Sequence, residues 1–179
     1  QLLPDLEEAE HAESNLLHTM DIDMAEVDAF CKEHGVFRST LFTSAYSFLL
    51  AKFNNEQESL FTTVYNGRGD KRRARSVGMM VKTLPVYAKY SDETTVLDCL
   101  LAGQEQMKGC RQHDIYNYSD VVNDLGLQSN SMFAWHGMLF SDDQLGGKPM
   151  KTLRIGNSTL AASLYLKAYI AGGKYHVKA

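Results

Sequence analysis

The segment STLFTSAYSFLLAKF, residues 39–53, constrains the fold more than any other part of the sequence. In helical geometry it presents apolar side chains around most of its circumference and leaves little polar surface. Those side chains are Leu41, Phe42, Ala45, Tyr46, Phe48, Leu49 and Phe53. Such a helix must be covered by other elements, as in a domain that packs helices on a sheet. Because Ser39 is placed to cap the N-terminus, we predict a central helix that begins there and lies buried against a sheet.

Two amphipathic helices flank this segment, and capping residues mark their ends. Asp23 can cap the first helix, and Gly35 ends it. The second begins after Thr94 or Thr95 and ends near Gly109. Their apolar faces consist of Met24, Val27, Phe30 and Cys31 in the first helix, and of Val96, Leu97, Leu100, Leu101 and Met107 in the second. Each helix therefore has one face suited to packing against a core.

Strand-like patterns occur twice in the middle of the chain and dominate its last third. A short helix is predicted before that last third, at residues 119–125, and stops at Gly126. Strands are predicted at residues 59–65, 86–90, 132–140 and 164–170. Gly172-Gly173 is a two-residue turn that should pair LYLKAYI with KYHVKA. We therefore predict a two-layer α/β fold with helices covering a mixed sheet. Because the sequence stops within its last predicted strand, we expect it to be cut from a longer protein.

Length and composition limit the class of protein. A chain of 179 residues suits one compact domain, and its net charge of −4 gives no overall reason to bind nucleic acid or an anionic membrane. The cysteines, Cys31, Cys99 and Cys110, have no CxxC spacing, which argues against a disulfide framework or a zinc site. No apolar run approaches the ~20 residues of a membrane span. We therefore expect a cytoplasmic protein in which the glycosylation-like triplets at Asn117 and Asn157 are accidental.

No common catalytic signature is present. The sequence contains no GxSxG, GxxxxGK[ST], HExxH or GxGxxG motif. His113-Asp114 places an imidazole next to a carboxylate, but adjacent residues on a helix point about a quarter-turn apart. We therefore predict a surface or capping role for this pair, no catalytic residue in the chain and no metal site.

The basic segment GRGDKRRAR, residues 67–75, has two interpretations. Its cations are Arg68, Lys71, Arg72, Arg73 and Arg75. In a chain of net negative charge a solvated loop is favoured over a phosphate or nucleic-acid site, because no aromatic residues are interleaved to stack on bases. The Arg68-Gly69-Asp70 string is interpreted as a chance match to an adhesion motif.

The sequence that follows this segment resembles the condensation domains of nonribosomal peptide synthetases. Asn66-Gly67-Arg68, then VGMMVKTLPV at residues 77–86, resembles the family segment "GR … vGmfvNTLPlr". The helix at residues 40–53 and the last hairpin also resemble the family, as do QHDIY at residues 112–116, which is similar to "HQDyPfe", and SNSMF at residues 129–133, which is similar to "sRNPLF". The departures from these motifs are Lys82 in place of Asn, Tyr87 in place of Arg, Tyr116 in place of Pro and Ser129 in place of Arg.

This resemblance, from about Asn15 to the end, implies one lobe of a two-lobed fold similar to chloramphenicol acetyltransferase. The family's catalytic signature HHxxxDG is not in the sequence, so residues 15–179 are expected to be the C-terminal, acceptor-side lobe, with residues 1–14 as a linker from an N-terminal lobe. The lobe alone is expected to be inactive. The implied partners are the N-terminal lobe, carrier proteins bearing phosphopantetheine and an adjacent adenylation domain, and no cofactor is expected to bind the chain directly.

The resemblance also supplies candidate residues for a substrate tunnel. They are Gly67, Arg68, Gly78, Lys82, Thr83, Pro85, His113, Asp114, Asn130, Trp135 and His136. We hypothesise that residues 78–85 form a turn and crossover beside the tunnel, with Lys82 and Thr83 nearest the substrate. The alternative is that this segment only packs the edge of the sheet. Three alternatives stay open: an epimerisation or other acyltransferase domain of the same fold group, a non-catalytic docking domain, and a nucleic-acid binder that uses the basic segment.

Overall fold

A computed structural model describes residues 15–116, 118–138, 144–145, 148–149 and 162–179. The predicted linker at residues 1–14, the side chains of Asn117 and Asn157, and the end of the strand predicted at residues 132–140 lie outside this part. The elements run β1 Leu17–Thr19, α1 Met24–His34, α2 Arg38–Phe53, β2 Glu58–Tyr65, α3 Lys71–Ala74, β3 Lys82–Lys89, α4 Val96–Gln112, α5 Tyr118–Leu125, β4 Ser131–Met138, β5 Gln144–Leu145, β6 Lys148–Pro149, β7 Leu164–Ala171 and β8 Lys174–Lys178.

A mixed sheet organises the domain, as the alternating segments predicted. Its strand order is β1-β8-β7-β4-β2-β3, and a separate two-stranded ladder joins β5 to β6. The central strands β2, β4 and β7 run parallel, whereas β1, β8 and β3 pair with their neighbours in antiparallel register. The pairing of β1 with β8 was not predicted. Because β2, β4 and β7 are parallel, their carboxyl ends meet at one edge of the sheet.

Helix α2 packs on the sheet through one face. Phe42, Tyr46 and Leu50 are buried at four-residue spacing, and the Tyr46 ring lies edge-on to Phe61 of β2, with centroids 4.9 Å apart. The prediction of a helix buried on nearly all sides is wrong, however. Three of its apolar side chains are exposed, by 48% for Phe48, 60% for Leu49 and 73% for Phe53. The described elements therefore leave one face of the helix uncovered.

The start of α2 also differs from the prediction. Phe37, not Ser39, is the N-cap residue, and it makes no side-chain capping bond. Instead, Gln104 of α4 supplies the acceptor, since its Oε1 lies 3.1 Å from the backbone nitrogen of Phe37 and Gln104 Nε2 donates to the carbonyl of Gly35. The capping group comes from a distant part of the sequence, so local pattern could not identify it.

Local capping signals predicted both ends of α1 and the start of α4. Asp23 caps α1 by accepting from the backbone nitrogen of Ala25, and Gly35 ends it in the left-handed region with φ of 65°. Thr95 and Asp98 form a capping box at the start of α4, which continues to Gln112, beyond the predicted end at Gly109. Among the described residues no helix is long and apolar enough to cross a membrane.

Strand β3 corrects the hypothesis that residues 78–85 are a turn and crossover. It begins at Lys82, contains Pro85, and pairs antiparallel with β2 as one arm of a hairpin. Pro85 is accommodated because β3 is an edge strand, whose outer backbone groups do not enter the sheet ladder. Helix α4 covers this edge: Gln106 Oε1 accepts from the backbone nitrogen of Tyr87, and Cys110 Sγ donates to the carbonyl of Pro85.

The predicted hairpin at the end of the chain is confirmed. Strands β7 and β8 pair with Ala171 opposite Lys174, and Gly172 and Gly173 have φ of 55° and 70°. Two consecutive positive φ values are what a two-residue turn of this kind requires. Tyr175 of β8 is fully buried and its ring lies 4.9 Å from Phe42, which ties the hairpin to α2.

Candidate functional site

A cleft of about 890 Å³ opens at the carboxyl ends of β2 and β4. Its walls are the first turns of α2, the last turns of α4, and the residues that follow Tyr65 at the end of β2. Trp135 of β4 lines it and also lines an adjoining cavity of about 380 Å³. In open α/β sheets, ligands bind in crevices outside the carboxyl ends of parallel strands. This cleft is therefore the candidate functional site.

Trp135 is positioned by packing and by a bulge in its strand. Its ring stacks on Phe42 of α2 with centroids 4.9 Å apart and an interplanar angle of 21°. The register of β4 with β7 shifts between Trp135 and Met138, where Gly137 has φ of 63°. A bulge of this kind bends the strand end. Trp135 is the candidate residue from the predicted strand that does line the cleft.

The basic segment is largely exposed, as predicted for a solvated loop, but it is folded around the guanidinium of Arg68. Arg68 Nη1 donates to the carbonyls of Arg73 (2.8 Å) and Ser76 (2.7 Å), and Nη2 donates to that of Gly78 (3.2 Å). Within the segment, Asp70 caps the single helical turn α3. Arg68 is thus a structural residue that fixes the course of the backbone from residue 67 to residue 78.

Gly67 is required by a close backbone contact. It is buried, has φ of 67°, and a Cβ atom at this position would lie 1.8 Å from the carbonyl oxygen of Met80. No other residue type fits that space. The two parts of the predicted motif, Asn66-Gly67-Arg68 and residues 77–86, are therefore in direct contact at this point.

Asp114 is buried and ion-paired, so the surface or capping role predicted for it is wrong. It connects the basic segment to the motif that contains Lys82. Its carboxylate is 2% exposed and accepts from Arg73 Nη1 at 2.6 Å, while its backbone carbonyl accepts from Lys82 Nζ. Arg73 Nε also donates to Asp70 Oδ2 at 2.6 Å. The hydrogen bonds to Asp70 and Asp114 raise the pKa of the Arg73 guanidinium, and the bond from the Arg73 backbone nitrogen is the main cause that lowers the pKa of Asp70. This network holds α3, β3 and the end of α4 together at the rim of the cleft.

The remaining candidate residues occupy several places. His113 is the exposed C-cap residue of α4, as predicted, and no hydrogen bond between its ring and Asp114 is found in the described part of the chain. Thr83 pairs with Val64 in the hairpin of β2 and β3, and the Asn130 carbonyl accepts from Ser163 at the start of β7. His136 is exposed, with Nε2 3.3 Å from the Tyr165 hydroxyl. These residues do not converge on one point with Trp135.

The cleft also contains residues that sequence reasoning missed. Arg111, one position before the QHDIY motif, lines both cavities, and its guanidinium lies 5.5 Å from the centre of the Tyr65 ring. Neither the periodicity of α4 nor any motif distinguishes Arg111 from an ordinary helix-terminal cation. No cluster of three or more potential metal ligands occurs among the residues with described positions.

Comparisons with known proteins agree with the resemblance. The model of the condensation-domain family matches residues 2–163. A linear gramicidin synthase protein of Brevibacillus parabrevis is 31% identical over 123 residues, which is 64% of this chain and 2% of that protein. The condensation domain of the Monacolin K polyketide synthase MokA has a TM-score of 0.76 at 13% identity, and the first condensation domain of the CDA synthetase has 0.70 at 13%.

These similarities confirm the predicted fold. Each of the two structures is matched over 92% of this chain, but the chain spans only 40% of the MokA domain and 38% of the CDA synthetase domain. The mixed sheet with its helices is thus part of the chloramphenicol acetyltransferase-like fold of condensation domains, and this chain covers less than half of such a domain.

Proposed function

The chain belongs to the condensation-domain family of nonribosomal peptide synthetases, and we propose that it is the C-terminal, acceptor-side lobe of such a domain. In this proposal an N-terminal lobe carrying HHxxxDG completes the enzyme, which forms an amide bond between two carrier-bound substrates in the cytoplasm. The acceptor amine attacks the donor thioester carbonyl, the C–N bond forms, the C–S bond breaks, and the amine loses a proton as the thiol leaves. No nucleic acid or membrane takes part.

The network around Asp114 is the observation that carries this proposal. Through Arg73 and Lys82, it ties together the residues of two motifs that lie far apart in sequence, and of these residues Arg73 lines the cleft. Joining two carrier-bound reactants depends mainly on holding amine and thioester in line, and positioning of this kind lowers a barrier by several kcal/mol. A lobe without a nucleophile serves that purpose if its walls are rigid.

In the proposed complex each lobe has its own role. The histidine that assists the acceptor amine comes from the N-terminal lobe. This lobe supplies one wall of the tunnel, with Lys82 and Thr83 of β3 closest to the substrate. Phosphopantetheine arms on the partner carrier proteins bring the donor and the acceptor, and an adjacent adenylation domain loads the acceptor carrier. The chain itself holds no cofactor.

A reconstitution experiment tests the proposal. Donor and acceptor carrier proteins, both loaded, are mixed with the chain alone and with the chain plus an N-terminal lobe that contains HHxxxDG, and the amide product is measured by mass spectrometry. We expect product only when both lobes are present. Product formed by the chain alone would show that the catalytic group lies in this lobe, and failure of every loaded carrier to bind the chain would refute the carrier-linked function.

A matched pair of variants tests the role of β3 in the same assay. Lys82→Met removes the contact with the Asp114 carbonyl, whereas Lys89→Met makes the same change at the exposed far end of the strand. We expect the first variant to slow condensation by about tenfold, equivalent to ~1.4 kcal/mol of barrier, and the second to leave the rate unchanged. Equal condensation rates for the two variants would refute the proposed position of Lys82 beside the substrate.

A further inference from the structure

The cations that line the cleft differ in what already binds them. Arg68 is held by three backbone carbonyls, Arg73 by two carboxylates, and Lys108 lies 3.2 Å from Glu105. Arg111 has neither an ion-pair partner nor a hydrogen-bond acceptor among the described residues. Its guanidinium lies over the face of the Tyr65 ring. It is therefore the cation of the cleft whose donors remain available.

The surroundings of Arg111 favour an anion rather than a neutral group. Arg68 contributes a second charge that no described carboxylate compensates, and it lines the same cleft. One carboxylate, Glu105, also lines the cleft and pairs with Lys108, so the cations remain in excess. A concave site with an excess of one sign of charge concentrates counter-ions, even on a protein whose net charge is −4. A guanidinium also offers paired donors that match a carboxylate or a phosphate group.

The apolar groups beside Arg111 define the rest of the ligand. Trp135 and Phe37 line both cavities together with Arg111, and Phe37 is 62% exposed. A Trp ring beside a charged group provides area for an aliphatic or aromatic segment, as small-molecule sites commonly do. The two cavities share these residues, so a ligand can place its charged end on Arg111 and its apolar part against Trp135.

We propose that the cleft binds an anionic group of the acceptor through Arg111, with the adjoining apolar segment against Trp135. This inference rests on the proposed function, because the acceptor is named from it. The anion has two possible sources, namely a carboxylate on the acceptor's side chain or the phosphate of its phosphopantetheine arm. In the first case Arg111 selects the acceptor amino acid, and in the second it anchors every acceptor equally.

Direct binding to the full chain tests the proposal without any condensation step. Trp135 is the sole tryptophan of the sequence, so its fluorescence reports ligands at this cleft. The probes are two pairs that differ in one charge-bearing group: the glutamyl and glutaminyl thioesters of N-acetylcysteamine, and 4′-phosphopantetheine and pantetheine. We expect the anionic member of one pair to bind more tightly than its neutral counterpart, with an advantage that falls as salt is added. The pair that shows the advantage identifies the source of the anion.

Variants connect the preference to one side chain. Arg111→Gln is expected to weaken binding of the preferred anion about tenfold and to leave the neutral probe unchanged, whereas Arg111→Lys keeps the charge and loses less. Arg75→Gln is the matched control, because Arg75 is exposed and lines neither cavity. Circular dichroism checks that α4 is retained, since a cation in the last helical turn also stabilises the helix.

Two results would overturn the inference. One is equal affinity for the charged and neutral members of both pairs, including the case in which no probe binds at all. The other is an equal loss of affinity in Arg111→Gln and Arg75→Gln, which would indicate an unspecific effect of net charge. Failure of condensation in the reconstitution assay, with the charge preference of the chain intact, would refute the proposed function and leave the anion site in place.

Discussion

Replacing Gly67 by alanine tests the close contact that shapes the rim of the cleft. Gly67 has φ of 67°, and an added Cβ would lie 1.8 Å from the Met80 carbonyl oxygen. Gly35 offers a matched control, since its φ is 65° and an added Cβ would meet nothing within 4 Å. Ala at either position must adopt the left-handed region, but only Ala at position 67 must also displace the backbone.

The two substitutions should therefore differ by the contribution of the clash alone. The left-handed conformation costs roughly 1–2 kcal/mol for a residue with a Cβ. Relieving the clash at Gly67 requires the Met80 carbonyl to move from 1.8 Å to at least 3.0 Å away, a shift of about 1.2 Å. Forced shifts of packed groups typically cost about 1–3 kcal/mol. We expect Gly35→Ala to destabilise by roughly 1–2 kcal/mol and Gly67→Ala by roughly 2–5 kcal/mol.

Urea denaturation followed by Trp135 fluorescence measures both changes. With a slope of about 2 kcal/mol per molar urea, the expected difference of about 2 kcal/mol separates the two midpoints by about 1 M. The slopes should stay equal, because neither change alters the surface exposed on unfolding. If Gly67→Ala and Gly35→Ala shift the midpoint equally, the backbone of residue 67 does not approach Met80 and the described course of this segment is wrong.

Three further predictions concern capping, buried hydroxyl groups and pH. Thr95→Ala removes the capping box with Asp98 and should destabilise the chain by about 1 kcal/mol in the same urea assay. An unchanged midpoint would show that α4 is capped by other groups. Tyr90→Phe should lower the free energy of unfolding by about 1 kcal/mol, because the Tyr90 hydroxyl donates to Ser47 Oγ at 2.7 Å. Tyr175→Phe should leave that free energy unchanged or raise it, because the buried Tyr175 hydroxyl has no described partner. Equal losses of stability in the two variants would contradict this reasoning. Burial raises the pKa of Tyr90 and Tyr175 above the ordinary value of 10.0, so the folded state favours their protonated forms. The free energy of unfolding should therefore be constant below about pH 10 and fall as the pH rises through the pKa values of the folded state. If absorbance at 295 nm shows that all tyrosines ionise freely in the folded protein, this prediction is wrong.

Features encoded by neighbouring residues were predictable from the sequence. Asp23 and Gly35 bracket α1, and Gly172-Gly173 joins β7 to β8, because caps and tight turns depend on the conformation of one or two residues. The resemblance identified the family and its fold. The residues around Gly67 contributed to that identification, and at this position a close backbone contact allows only glycine.

Features that depend on contacts between distant segments were not predictable. Ser39 looked like the cap of α2, but Gln104, 65 positions later in the sequence, provides the acceptor at Phe37. Pro85 looked like the end of a turn, but it lies within β3 because that strand is at the edge of the sheet. In both cases the local structure depends on a contact with a distant segment, so residue type and spacing within the local sequence could not predict it.

The basic segment shows why charge alone did not point to the proposed anion site at Arg111. The sequence did not distinguish its five cations from one another, so it could only be asked whether the whole segment binds an anion. In the structure Arg68 and Arg73 are bound to carbonyls and carboxylates of the chain itself, so their donors are already used for holding the backbone. Arg111, outside the segment, keeps its donors available beside Trp135. A cation's availability to a ligand depends on its partners, and partners are set by the fold.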